Sequence, residues 1–63
     1  MTVEELDELI SIDYLYGVEK MAVKYNSHFA RQNYGNRQIS SVEIDWENHD
    51  VNVWVKKGEL ELL

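Results

Sequence analysis

From Gln38 to Leu63 apolar residues recur at every second position: Val42, Ile44 and Trp46, then Val51, Val53 and Val55, then Leu60 and Leu62. This alternation marks strands that bury one face and show the other to water. The spacing between the runs also closes on itself. A turn at Glu47-Asn48-His49-Asp50 sets Trp46 opposite Val51, Ile44 opposite Val53 and Val42 opposite Val55. A second turn at Lys57-Gly58 sets Val55 opposite Leu60 and Val53 opposite Leu62. Directly opposed residues share a face, and a slip of one residue sends every apolar side chain to the solvent side. The pattern predicts a three-stranded antiparallel meander.

The residues ahead of it read as helix. Thr2-Val3-Glu4-Glu5 has the form of a capping box, in which Thr2 and Glu5 each satisfy the other's backbone amide. Glu4, Glu5, Asp7 and Glu8 suit the positive end of the helix dipole. Ser11 or Asp13 can cap a second helix, so a break is expected near Ser11. From Ile12 to Gln32, steps of about 100° per residue gather Ile10, Tyr14, Leu15, Val18, Met21, Ala22, Tyr25 and Phe29 into one apolar stripe. Asn33-Tyr34-Gly35-Asn36 then ends the helix, with Gly35 or an asparagine in the left-handed conformation. Gly17 is unfavourable inside a helix; a close crossing of another backbone is one reason for it, and simple tolerance is the other. The expected fold is α+β, a single domain over residues 1–63 in the order α-β-β-β. Its helix packs the stripe against the sheet face of Val42, Ile44, Trp46, Val51, Val53, Val55, Leu60 and Leu62.

That helix carries more apolar surface than one small sheet uses. Ile12, Tyr16 and Val23 fall on the side away from the stripe, with Ala30 beyond them. Either the short N-terminal helix folds over them or they join two copies of the chain. Size argues for association: a domain of 63 residues buries only about 60% of its unfolded surface and often needs a disulfide, a metal or a partner. Cysteine is absent, which removes disulfides and thiolate metal sites. A homo-oligomer is therefore expected.

The other sheet face carries Ser41, Glu43 and Asp45, then Asn52, Trp54 and Lys56, then Glu59, Glu61 and Leu63. Trp54 falls between Glu43 and Glu61 in the predicted register. One reading is a solvated acidic face. The other is a docking face, with Trp54 as anchor and Glu43, Glu61 and Asp45 meeting a basic partner.

With 12 acidic against 6 basic residues and a net charge of -6, the chain lacks the positive field of a general nucleic-acid binder. Lys20, Lys24, Arg31 and Arg37 do interleave with Tyr25, His28, Phe29 and Tyr34, a mixture that can hold single strands. The stripe claims Tyr25 and Phe29, so charge balance within the fold or between copies is the expected role. No apolar run is long enough for a membrane span, and no basic-then-apolar leader is present. A cytoplasmic protein is expected.

Enzyme chemistry finds no purchase. His28 and His49 are the only histidines, and Glu47, His49 and Asp50 read as turn residues rather than metal ligands. No nucleophile motif or phosphate-binding loop is present. No cofactor, metal or catalytic residue is expected. The sequence points to a small non-enzymatic protein-binding or regulatory module that acts stoichiometrically and self-associates. The rival expectation is an acidic mimic of nucleic acid that inhibits a DNA- or RNA-handling enzyme, with strongly salt-dependent binding.

Overall fold

The computed structural model of the chain describes residues 1–18 and 21–56. Among them are two helices and four strands: α1 (Val3–Leu9), β1 (Tyr14–Tyr16), β2 (Val23–Lys24), α2 (His28–Tyr34), β3 (Ile39–Asp45) and β4 (Asp50–Val55). The strands form one mixed sheet in the order β2-β1-β4-β3. The fold is α+β, but the predicted meander and helix–strand order are replaced by this arrangement.

The hairpin of β3 and β4 forms as the alternation requires. Its register differs by two residues from the expected one: Val42 stands opposite Val53 and Ile44 opposite Val51. An even shift keeps every side chain on its face. Turn chemistry accounts for it. One Asp45 carboxylate oxygen accepts the amides of Glu47 and Asn48, each at 3.1 Å, and the other accepts the Asn48 side-chain amide at 2.8 Å. This Asx-type closure starts the turn at Trp46, and His49 completes it with φ 58°. Trp46 is thereby expelled from the ladder and is 78% exposed.

The long helix over residues 12–32 does not form. Tyr14-Leu15-Tyr16 instead runs parallel to β4, with Leu15 beside Val53 and Tyr16 beside Trp54. Val53 thus lies between Leu15 and Val42, and neither of its edges is left for the partner Leu62. Residues 57–63, with the predicted third strand, lie outside the described residues. The aromatic and β-branched residues at 14–16 and 23 favour a pleated surface, and the backbone commits them to it through Asp13. The Asp13 amide donates to the Val51 carbonyl at 3.0 Å, and its carbonyl accepts from Tyr25 at 3.0 Å. Its carboxylate accepts from the Val51 amide at 2.7 Å.

Gly17 follows β1 with φ +91°, and a Cβ built there would lie 3.1 Å from the Val55 carbonyl oxygen. The close backbone crossing is real, although its setting is a strand connection rather than a helix.

The first helix is capped as expected. The Thr2 amide donates to the Glu5 carboxylate at 2.9 Å, and the Glu5 amide donates to the Thr2 hydroxyl at 3.2 Å. The amides of Val3 and Glu4 find the carbonyls of Arg37 and Gly35 at 2.9 and 2.8 Å, so the start of α1 is tied to the end of α2. The break near Ser11 is present, since Ile10 is extended, but strand rather than helix follows. Ser27 caps α2 through the Ala30 amide at 3.1 Å. Gly35 ends α2 in right-handed geometry at φ -60°, not in the expected left-handed one.

Val3, Ile12, Leu15, Tyr25, Ala30, Tyr34, Val53 and Val55 form the core, with Leu6, Val18, Val23, Ile39 and Val51 packed against it. Several residues assigned to the core by helical spacing lie outside it: Met21 is 80% exposed and Phe29 67% exposed.

Candidate docking face of the sheet

Because Leu15, Val53 and Val55 turn into the core, the alternate residues of β1 and β4 turn away from it. Pairing places them in two rows. In the first, Lys24, Tyr14, Asn52 and Glu43 follow one another from β2 across to β3; in the second come Tyr16, Trp54 and Ser41. The rings of Tyr16 and Trp54 stack with centroids 4.5 Å apart and planes inclined by 14°. Such a pair contributes about 0.5–1.5 kcal/mol beyond its buried area. Both rings stay half-buried, so part of each remains open to contact.

Asn52 stands beside this stack and is only 8% exposed, and its side-chain oxygen has no hydrogen-bond partner. Leaving a buried acceptor unsatisfied costs about 1–3 kcal/mol. Glu43, directly opposite Asn52 on β3, is exposed and gives this end of the row its negative charge.

The residues singled out from the sequence are thus partly reunited. Trp54 and Glu43 share the face, on adjacent strands and adjacent rows. Asp45 is turned toward its own hairpin: hydrogen bonds from the Asn48 side chain and then the Asn48 and Glu47 amides hold its carboxyl below the usual aspartate value. It lends charge to the face while its oxygens serve the turn. Glu61 lies outside the described residues. Ile12, Tyr16 and Val23 do not share a surface, because the helix that would align them is absent. Ile12 is 3% exposed in the core, Tyr16 stacks on Trp54, and Val23 is half-buried on β2 against the core.

Asn52 falls on this face as the alternation predicts, whereas Tyr14 and Tyr16, which helical spacing assigns to a helix, join it from β1. The Tyr-Leu-Tyr triplet does alternate as a strand, but its parallel partner is distant in sequence.

A concavity of about 220 Å³ lies between the helices, lined by Glu4, Asp7, Glu8, Tyr25 and Arg31. Burial, and then the charges of Asp7 and Glu4, push the Tyr25 phenol above its ordinary pKa. Among the described residues no group of three or more His, Cys, Asp or Glu is placed to hold a metal. None of the described helices is long and apolar enough to cross a membrane.

The chain matches no protein-family model, and comparison with curated proteins and with solved structures returns no match.

Proposed function

We propose that this chain is a non-enzymatic binding module that captures another protein on the sheet face of Tyr14, Tyr16, Asn52, Trp54 and Glu43. The observation that carries this reading is the half-open Tyr16–Trp54 stack beside a buried, unsatisfied Asn52 oxygen. A tryptophan with a stacked neighbour offers a partner large contact area at low entropic cost. The exposed carboxylate of Glu43 and the net charge of -6 favour a partner with a basic surface.

Self-association is a separate part of the proposal. Among the described residues β3 is an outer strand of the sheet, and Val42 and Ile44 are exposed on it. An apolar outer strand invites pairing with a second copy.

Affinity capture with the full chain tests the docking face. Glu43→Lys reverses an exposed charge without touching the core, and Trp54→Ala removes the anchor. Both are expected to abolish capture while the circular dichroism spectrum is kept. Capture that survives both changes removes the proposal.

A further inference from the structure

We propose that the row of Tyr14, Asn52 and Glu43, flanked by the Tyr16–Trp54 stack, receives an arginine side chain of the protein partner. This rests on the docking face above and names the group that the face recognises. Three features converge on a guanidinium. The Asn52 oxygen is buried and lacks a partner, so only an N–H or O–H donor that displaces the side chains covering it satisfies it. Glu43 stands opposite Asn52 across the β3–β4 pair, so the donor that suits both is cationic. The aromatic rings along β1 and β4 favour a flat cation, which stacks on them as it donates.

Other groups meet fewer of these demands. A lysine ammonium is a compact, strongly hydrated charge and does not stack as a plane. A neutral amide or urea satisfies Asn52 but leaves the Glu43 carboxylate without a countercharge. The chain does not supply the cation from within the row. Its one basic member, Lys24, is three strand spacings from Glu43, roughly 14 Å at the usual separation.

The test uses the intact ¹⁵N-labelled chain, titrated separately with Nα-acetyl-argininamide, its citrulline counterpart and its lysine counterpart. Citrulline keeps the planar shape and loses the charge. Expected for arginine are saturable shifts of the Asn52 side-chain amide and the Trp54 indole signals, at concentrations about tenfold lower than for either analogue. Glu43→Gln should weaken the arginine response about tenfold, and Asn52→Leu should remove it. Should Asn52→Leu fail to fold, Glu43→Gln still decides. No saturable arginine response, an equal response to citrulline or lysine, or indifference to Glu43→Gln overturns the inference. If Trp54-dependent capture persists without an arginine response, this inference fails and the docking face stands. If capture itself is independent of Trp54 and Glu43, the docking face fails.

Discussion

The Asp13 carboxylate and the Val51 amide meet at 2.7 Å across 38 residues of chain. The bond sits where β1 begins its parallel run along β4. Parallel pairs need such fixing, because no tight turn sets their register. Asp13→Ala is expected to cost about 1–3 kcal/mol by stranding the Val51 N–H. Asp13→Asn, which keeps an accepting oxygen, should cost less. Urea denaturation of the three chains checks the order.

Gly17 supports the same junction from the other end of β1. Its φ of +91° strains any side chain, and the 3.1 Å approach of the Val55 carbonyl oxygen makes that oxygen give way to a Cβ. Gly17→Ala should therefore destabilise the chain by about 1–3 kcal/mol. If thermal melting shows no loss, the crossing is not as close as described.

Tyr25 makes the stability sensitive to high pH. Burial first, then Asp7 and Glu4, raises its folded pKa above the ordinary 10.0. The unfolded chain thus ionises first, and stability, complete below pH 10, falls as pH rises through the folded pKa. Tyr25→Phe removes the ionisation. Its stability should be flatter than that of the parent above pH 10, as chemical denaturation across that range will report.

At the hairpin tip, the Asn48 side chain is the largest cause of the lowered Asp45 pKa. Asn48→Ala is expected to move the Asp45 carboxyl up toward 3.8, read by carboxyl ¹³C shifts. Because a depressed pKa stabilises above the unfolded value and loses that contribution as pH falls, the variant should also lose less stability on acidification.

What could be read from the sequence was what local chemistry determines. The Thr2–Glu5 capping box depends on residues three apart, and the β3–β4 hairpin on alternation across one turn. The two-residue register shift escaped because the Asp45 carboxylate recruits Glu47 and Asn48, which moves the turn without changing side-chain parity. Residues 14–25 misled for a different reason. Tyr14, Leu15, Val18 and Tyr25 fit a helical stripe, yet Tyr14-Leu15-Tyr16 also alternates as a strand. A parallel partner near position 53 decides between them, and nothing in the segment announces that partner. Alternation therefore places Trp54, Glu43 and Asn52 on an outward face, while the position of Tyr16 beside Trp54 and the unsatisfied Asn52 oxygen are not legible in it.

Two tryptophans allow the docking face to be tested with an internal control. Affinity capture from the source cells' lysate, run side by side with the parent chain, Trp54→Ala, Glu43→Lys and Trp46→Ala at equal folded concentration, is the most direct measurement. Expected is loss of the captured partner with Trp54→Ala and Glu43→Lys and its retention with Trp46→Ala, since Trp46 is 78% exposed in the turn, outside the rows that hold Trp54 and Glu43. Capture that follows Trp46 instead, or that ignores all three substitutions, would contradict it.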